Sequence, residues 1–342
     1  MVPLQIEVFS TCPQSATANR PTYLQNVLDV ARWSEDAGCT GILIYSDNAQ
    51  VDPWLLAQLV IQNTSRLCPL VAVQPVYMHP FTVAKMVSTL GYMFHRRVYL
   101  NLVAGGFKND LVALHDTTPH DQRYLRLTEY AAIVKQLLEG SHPAGYEGTY
   151  YCVENLKMLP ALDRELAPGI FVSGSSEAGL AAARVLNATA IHYPEPVAEY
   201  SDGFLNDSIG HGIRIGIIAR DSEQEAWQVA HGDFPEDRRG QLTQQLAMKV
   251  SDSSWHRQLS KLDEAAESRP YWMVPFQNYK TFCPYLVGNF EVIASELKAY
   301  MKLGMRTFIL DIPRRAEDLV NINIAFKQAA ELFTCQSYCR IG

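Results

Sequence analysis

The sequence predicts an α/β protein of the (β/α)8 class, a TIM-like barrel with insertions, and three observations support this. Short segments rich in Val, Ile and Leu alternate along the chain with segments of helical pattern, as in a parallel sheet buried on both faces. The length of 342 residues suits one large barrel. No Gly-x-Gly-x-x-Gly follows the first strand, which disfavours the alternative, a doubly wound open sheet.

Apolar runs locate the strands, and local signals locate the helices between them. Strands are predicted at residues 4–9, 41–45, 70–74, 97–103, 170–172, 189–192, 213–219 and 307–310. Helices between the first five strands are predicted at residues 22–37, from 52 onward, at 80–93 and at 120–138. Gly38 ends the first helix, since glycine is favoured just past a helix C-terminus. Pro53 stands at an early position of the second helix, where proline is favoured.

Two stretches interrupt this alternation, and we expect both to be insertions in a single domain spanning residues 1–342. The segment 144–155 contains Gly-Tyr-Glu-Gly-Thr-Tyr-Tyr-Cys-Val, which is typical of a small hairpin over the barrel mouth or flank. The segment 240–290 combines a polar helix with a Pro- and aromatic-rich stretch. Long irregular segments between barrel strands are usually lids or binding loops, so the aromatic part, 271–282, is expected to be a lid.

The composition is that of a globular chain. Hydrophobic residues make up 48% and charged residues 19%, with a net charge of −7. This balance disfavours nucleic acid as a partner, because phosphate backbones are bound by clustered cations. The N-terminus has no basic segment followed by an apolar run, and no apolar stretch reaches the ~18 residues of a spanning helix. We therefore expect neither a signal peptide nor a membrane partner.

The cysteines indicate a reducing compartment. Their number, seven, is odd, and no two pairs have matching metal-ligand spacing. Cys335 and Cys339 stand four residues apart near the C-terminus, where a helix face is a more common setting than a zinc half-site. We expect reduced thiols, a cytoplasmic protein and no metal.

The segment 172–176, Val-Ser-Gly-Ser-Ser, closes an apolar strand and opens an Ala-rich helix. Unpaired backbone N–H groups and the positive end of the helix dipole favour an anion at such a place. The segment therefore indicates a phosphate site. The alternative is that Ser175 or Ser176 only caps the helix.

Other predicted strand ends carry small polar groups, glycines and aromatic residues, and in a barrel the active site is built there. These ends show no carboxylate–histidine cluster with metal spacing and no nucleophile–base pair. Such a site indicates a cofactor that brings its own reactivity. Asp47, Asp110 and His79 remain candidates for acid–base catalysis. The other strand-end residues of interest are Gln74, Asn101, Ala104, Gly105 and Gly106.

Several of these residues have a structural alternative. Asn101 can cap a loop instead of contacting a ligand, and the glycine pair after it can turn the chain instead of admitting a flat ring. His79 precedes Pro80 and can orient the turn rather than act chemically. Asp110 and Asp116 are expected to be solvated loop charges.

Seven short motifs stand in a fixed order along the chain. They are Asp52-Pro53-Trp54, residues 100–106, His120–Tyr124 with Glu129-Tyr130, Tyr146-Glu147-Gly148 with Tyr151, residues 173–178, residues 193–196 and residues 304–310. Together they resemble the bacterial luciferase-like flavin monooxygenases, within the branch that includes alkanesulfonate monooxygenase. One such motif is weak evidence, but this many in one order is specific.

The resemblance implies a TIM-like barrel that binds reduced FMN, which a separate flavin reductase supplies. In that family the reduced flavin reacts with O₂ to give a flavin peroxide, which attacks an organic substrate. The residues that match the family's phosphate site are Ser175, Ser176 and Tyr124.

The resemblance also assigns residues to the flavin ring. Asn101, Val103 and Ala104 would lie against the isoalloxazine ring, with Gln74 at its edge. His79 is the residue that we expect to hydrogen-bond the flavin peroxide or the substrate.

The chain departs from alkanesulfonate monooxygenase at its substrate site. That enzyme has a cysteine at a position that falls near Gln50 here, a tryptophan that matches Tyr193, a histidine that matches Gly216 and a tyrosine that matches Ile312. Only Arg214 is retained, and it can be structural. We therefore do not expect a sulfonate substrate.

The sequence favours an FMN-dependent monooxygenase that oxygenates a small or carrier-bound organic molecule. The expected partners are that substrate and a separate flavin reductase, and the expected assembly is a homodimer. One alternative is a flavin-binding protein of the same fold that does not oxygenate. The other is a deazaflavin-dependent oxidoreductase. It is disfavoured because the larger tail of a deazaflavin usually needs cationic groups near the phosphate site, and only Arg184 stands close in sequence to Ser176.

Overall fold

The computed structural model of the chain describes residues 5–105, 108–140, 142–200, 208–250 and 270–338. The strands are Glu7–Thr11 (β1), Gly41–Ile44 (β2), Cys68–Val73 (β3), Tyr99–Val103 (β4), Ala144–Glu147 (β5), Cys152–Leu156 (β6), Ile170–Ser173 (β7), Thr189–His192 (β8), His211–Arg220 (β9), Tyr271–Trp272 (β10), Tyr285–Asn289 (β11) and Met305–Leu310 (β12). The α-helices are Arg20–Asp36 (α1), Pro53–Asn63 (α2), Pro80–Phe94 (α3), Lys108–Ala113 (α4), His120–Glu139 (α5), Glu177–Leu186 (α6), Glu223–Asp233 (α7), Arg238–Val250 (α8), Val274–Gln277 (α9), Phe290–Lys302 (α10) and Ala316–Tyr338 (α11).

Eight strands close a barrel, and they are the eight that the sequence predicts. Hydrogen-bonded neighbours follow the order β9-β12-β1-β2-β3-β4-β7-β8, and β8 pairs again with β9. The pairs with a defined register in this ring are parallel. Helices separate most successive strands along the chain. The predicted (β/α)8 class is confirmed.

The chain divides into two compact units. The N-terminal unit comprises residues 12–35 and 40–190 and contains β2, β3, β4 and β7. These four strands are buried on both faces, and Ile42, Leu70 and Leu100 are fully buried. Such burial contributes roughly 1.5–3 kcal/mol for each side chain.

The C-terminal unit comprises residues 1–11, 36–39 and 191–342, and its central element is β9, which is buried along its whole length. The first half of β9 pairs with β12, and the second half pairs with β11. Gly216 stands opposite Tyr285 in this second pairing. The Tyr285 ring lies where a Cβ of Gly216 would be, so glycine is required for this close approach.

The sequence does not predict β10 and β11. Tyr271 and Trp272 of β10 are buried, and Trp272 packs with Trp227 and Phe234. These aromatic side chains therefore belong to a hydrophobic core rather than to an open surface. Residues 251–269 of the expected insertion lie outside the described residues. The lid expected at 271–282 stays a prediction, because burial of Tyr271 and Trp272 does not test movement of the segment.

A two-stranded antiparallel sheet, β5 with β6, lies in the segment where the sequence indicates a hairpin. The carboxylate of Glu129 on α5 accepts hydrogen bonds from the backbone N–H groups of Thr149, Tyr150 and Tyr151 at 2.8, 2.8 and 3.2 Å. The ring of Tyr151 packs edge-on against Tyr130. One carboxylate thus attaches the hairpin turn to the helix.

Gly216→Ala tests the packing of β9 against β11. The added methyl group meets the Tyr285 ring, so we expect the free energy of unfolding to fall by about 1–3 kcal/mol. Gly232→Ala is the matched control, because no heavy atom lies within 4 Å of the added Cβ in α7. Alanine there should raise the free energy of unfolding by about 0.5–1 kcal/mol. Urea unfolding followed by circular dichroism measures both, and an unchanged Gly216→Ala variant would contradict the packing.

Candidate functional site

The turn between β7 and α6 contains both predicted serines, and they behave differently. Ser176 is the N-cap of α6, and its Oγ accepts a hydrogen bond from Gly179 N at 3.1 Å. The alternative that a serine caps the helix therefore holds for Ser176. The Oγ of Ser175 is buried and has no hydrogen-bond partner among the described residues. Ser175 is thus the residue of this turn that has a hydroxyl left for a ligand.

Gly174 brings Tyr124 close to the same turn. Its φ is +152°, and a Cβ there would clash with the hydroxyl of Tyr124. Tyr124 lies on α5 and is nearly fully buried. Burial raises the pKa of Tyr124, and a hydrogen bond with the Ser176 side chain opposes that increase. Tyr124 is therefore neutral at physiological pH and retains a phenol proton beside the N-terminus of α6.

The end of β4 lies beside the end of β7. The parallel register places Val103 opposite Ser173, and Ser173 Oγ donates to Asn101 Oδ1 at 2.8 Å. Asn101 and Ala104 are buried, whereas Val103 is half-buried. The sequence does not predict the contact of Asn101 with Ser173, because this contact depends on the register of β4 against β7, which no local pattern specifies.

After Ala104, Gly105 has a φ of +107°. Only glycine adopts that conformation readily. The chain therefore turns at the first of the two predicted glycines. Gly106 lies outside the described residues.

Gln74 and His79 follow the end of β3. Gln74 is buried, and its Nε2 donates to Ser46 O at 2.7 Å. His79 is the N-cap of α3, and its Nδ1 accepts a hydrogen bond from Phe81 N at 3.2 Å. Because Nδ1 is an acceptor, the neutral imidazole has its proton on Nε2. The His79 ring lies 6.0 Å from that of Tyr151, and a chemical role for His79 stays a prediction.

A cavity of about 270 Å³ lies between the loops after β2 and β3. Asp47, Gln74 and Tyr77 line it. Tyr77 donates to Asn48 Oδ1 at 2.8 Å, and Asn48 Nδ2 donates to the backbone oxygen of Asp110 at 3.2 Å. Burial, with the charges of Asp110 and Asp47, raises the pKa of Tyr77 to about 12. The sequence could not predict this network, because it joins loops that follow three different strands.

Asp116 is not the solvated charge that the sequence predicts. Its side chain is 7% exposed and lies 2.6 Å from Arg126 Nη2, and the hydroxyl of Thr118 donates to Oδ1 at 2.6 Å. Burial raises its pKa, but the hydrogen bonds from Arg126 and Thr118 outweigh burial and hold the pKa at about 2. This pair ties the loop before α5 to the helix, and α5 presents Tyr124.

In the C-terminal unit, Tyr285 explains one departure from alkanesulfonate monooxygenase. Its ring occupies the space beside Gly216, and its hydroxyl donates to Asp311 Oδ2 at 2.7 Å. The buried Arg214 lies 3.7 Å from the same carboxylate. Arg214 therefore belongs to an internal charge pair in this chain.

Within the described ranges, no three His, Cys, Asp or Glu side chains come together in a way that would hold a metal ion. In the same ranges, no helix has the length and apolar character needed to cross a membrane.

The fold and the polar strand ends define a class, the (β/α)8-barrel enzymes with a site at the C-terminal ends of the strands. The chain belongs to the family described as luciferase-like monooxygenases, which residues 4–307 match. It is 33% identical over 309 residues to 4-(gamma-L-glutamylamino)butanoyl-[BtrI acyl-carrier protein] monooxygenase BtrO of Niallia circulans, and the match covers 88% of this chain and 90% of that protein. The resemblance stated from the motifs is confirmed, and the chain is an enzyme of this monooxygenase family.

Solved structures share the fold. A riboflavin lyase solved with modified FMN and riboflavin has a TM-score of 0.75 at 14% identity, covering 97% of this chain and 92% of that one. EDTA monooxygenase from Chelativorans sp. BNC1 has a TM-score of 0.69 at 14% identity, covering 97% and 94%. Other structures of this fold are described as binding FMN or as depending on F420.

Asp116→Asn tests the buried pair that holds the start of α5. The variant leaves Arg126 without its carboxylate, so we expect the free energy of unfolding at pH 7 to fall by about 3 kcal/mol. The Asp116 pKa is about 2 in the folded chain and about 4 unfolded. The wild-type advantage should therefore be complete above about pH 4 and disappear as the pH falls to 2.

Urea unfolding at neutral and acid pH measures this advantage. The matched control is Asp121→Asn, whose carboxylate is 82% exposed on the same helix and should contribute less than about 1 kcal/mol. Equal effects of the two substitutions at pH 7 would contradict the buried pair.

Proposed function

We propose that this chain is an FMN-dependent monooxygenase that uses reduced flavin and O₂ to oxygenate a small or carrier-bound organic substrate. One observation carries the proposal. The Ser175 hydroxyl is buried without a hydrogen-bond partner among the described residues, next to the N-terminus of α6. A buried hydroxyl is unfavourable unless a ligand satisfies it, and a phosphate is the ligand that a helix N-terminus favours.

Three neighbouring residues support a phosphate at this position. Ser176 caps α6 through the N–H of Gly179, and the N–H groups of residues 177 and 178 have no partner within the helix. The Tyr124 hydroxyl lies at the turn because Gly174 has no side chain. Burial keeps that phenol protonated, and a neutral phenol donates to an anion. The turn thus supplies donors for an anion, and the one carboxylate in the first turn of α6, Glu177, belongs to an exposed residue.

The flavin ring is proposed to lie against Asn101, Val103 and Ala104, with Gln74 at its edge. Asn101 is held by Ser173, and Gln74 is held by the Ser46 carbonyl, so both carboxamides have fixed positions. Bound FMN would supply the oxygen chemistry that the side chains of this site lack. The chain's own part is to position the ring, exclude water and shape the substrate space.

His79 is proposed to donate a hydrogen bond from Nε2 to the reacting oxygen or to the substrate. The cap hydrogen bond to Nδ1 fixes the tautomer and the ring orientation, and it leaves Nε2–H as the donor.

The proposed partners follow from the same function. The name of the Niallia circulans relative states that it acts on an acyl group held by an acyl carrier protein, which favours a carrier-bound substrate for this chain. We further propose a separate flavin reductase, a homodimer and a cytoplasmic location.

Anaerobic titration with reduced FMN, followed by fluorescence, tests the proposal as a whole. We expect one site with a dissociation constant below tens of micromolar. Failure to bind in that range would contradict the proposal, and tighter binding of F420 than of FMN would favour the deazaflavin alternative. FMN binding without oxygen transfer to any substrate offered would favour the non-oxygenating alternative.

Ser175→Ala tests the phosphate site without disturbing the fold. Because the Ser175 hydroxyl is buried without a partner in the described protein, we expect the melting temperature without FMN to be equal to or higher than that of the wild type. A hydrogen bond to a charged group contributes about 1.5–3 kcal/mol, so the dissociation constant of FMN should rise by about 10- to 100-fold.

Ser176→Ala is the matched control for the same titration. It removes the helix cap and should lower the free energy of unfolding by about 1 kcal/mol. A Ser175→Ala variant that binds FMN as wild type does would show that this hydroxyl does not meet the phosphate.

His79→Asn separates the cap from the chemistry. Asparagine caps a helix well, so this variant should retain its stability, whereas His79→Ala should lose about 1 kcal/mol. If Nε2–H acts on the reacting oxygen, stopped-flow reoxidation of enzyme-bound reduced FMN should change by about 100-fold in both variants. A normal rate in His79→Asn would show that His79 is only a cap.

A further inference from the structure

The cavity beside Gln74 has a size that suits part of an organic ligand. Its volume is about 270 Å³, whereas a cavity of about 150 Å³ holds benzene. Its walls include the apolar side chains of Val51 and Trp54, and Trp54 is buried. Apolar walls with a few polar groups are the usual composition of a ligand pocket.

The charged groups of this cavity are all of one sign. The residues that line it include Asp47 and Asp52, and none of them is Lys, Arg or His. The Asp52 carboxylate caps α2. Asp47 makes its hydrogen bonds through Oδ1, to the backbone of Ala49 and Gln50. Asp47 forms no ion pair with any described residue, so its charge faces the cavity without a counter-ion.

A second observation independently favours a hydrogen-bond donor as the ligand. Gln74 is 8% exposed and lines the cavity. Its Nε2 donates a hydrogen bond to the Ser46 carbonyl, which fixes the carboxamide. Its Oε1 accepts no hydrogen bond from the described residues. The Tyr77 hydroxyl likewise donates its proton to Asn48. Gln74 and Tyr77 therefore both have an oxygen left to accept a hydrogen bond.

The carboxylate of Asp110, near that of Asp47, strengthens the preference for a hydrogen-bond donor. Burial, together with the charge of Asp47, raises the pKa of Asp110, against the effect of a hydrogen bond from the backbone of Asn48. Two carboxylates that disfavour each other's charge are stabilised by a cation between or beside them.

We propose that this cavity holds an aliphatic portion of the substrate that ends in a protonated amine, and that it disfavours carboxylate and sulfonate groups. The inference rests on the proposed monooxygenase function, since the cavity includes Gln74, the residue proposed at the flavin edge. It names the substrate class for that site. A carrier-bound acyl chain with an amino group at its far end meets the requirement.

The experiment compares three probes of equal chain length, which are n-pentylamine, pentanamide and pentanoate. Each is titrated by calorimetry into the full chain at pH 7 and low salt, with and without added FMN. We expect pentylammonium to bind at least about tenfold more tightly than pentanoate, with pentanamide between them, because a single uncompensated carboxylate supplies that discrimination.

Asp47→Asn is the central variant. Asparagine keeps an Oδ1 for the turn and removes the charge, so the preference for the amine should fall to within about threefold. Asp221→Asn is the matched control, because Asp221 is exposed in the turn after β9 and does not line the cavity. It should keep the full preference.

Val51→Phe shows where the probes bind. Val51 is 43% exposed at the cavity wall, so phenylalanine should fill the cavity without overpacking the core and should weaken all three probes. Equal binding of amine and carboxylate, a preference that survives Asp47→Asn, or no probe binding would each overturn the inference. These outcomes do not depend on flavin binding, so they are distinct from a failed FMN titration.

Discussion

The candidate site depends on the parallel alignment of strands in the N-terminal unit. Because β3, β4 and β7 run in the same direction with a fixed register, their C-terminal ends meet at one edge. The alignment brings the Ser173 hydroxyl to 2.8 Å from Asn101 Oδ1. The turn that follows β7 and starts α6 lies at the same edge. A slip of one residue would turn Asn101 to the opposite face, so the register determines the site.

At two positions the absence of a glycine side chain leaves room for a tyrosine from another element. Gly174 lets the Tyr124 hydroxyl reach the turn before α6, and Gly216 lets the Tyr285 ring pack into β9. Gly216 stands where alkanesulfonate monooxygenase has a histidine, and Tyr285 instead hydrogen-bonds Asp311.

The carboxylates of the molecule differ in whether an arginine lies beside them, and those without one are available to a ligand. Asp116 is neutralised by Arg126 at 2.6 Å, and Asp311 lies beside Arg214. Asp47 has no such partner among the described residues, and it lines a cavity without cationic groups.

The sequence by itself determined the eight barrel strands, their order and the serine turn, because apolar periodicity and turn chemistry act over a few neighbouring residues. Only the tertiary structure decided that Ser176 caps α6 while the Ser175 hydroxyl stays unpaired, and that Asp116 is buried against Arg126. It also decided that Tyr271 and Trp272 form a strand in a core, although their Pro-rich surroundings are typical of a loop. For Asp116 and for Tyr271 with Trp272, the partner comes from a different element, and the contacts of one element with another are set by packing that no local pattern specifies.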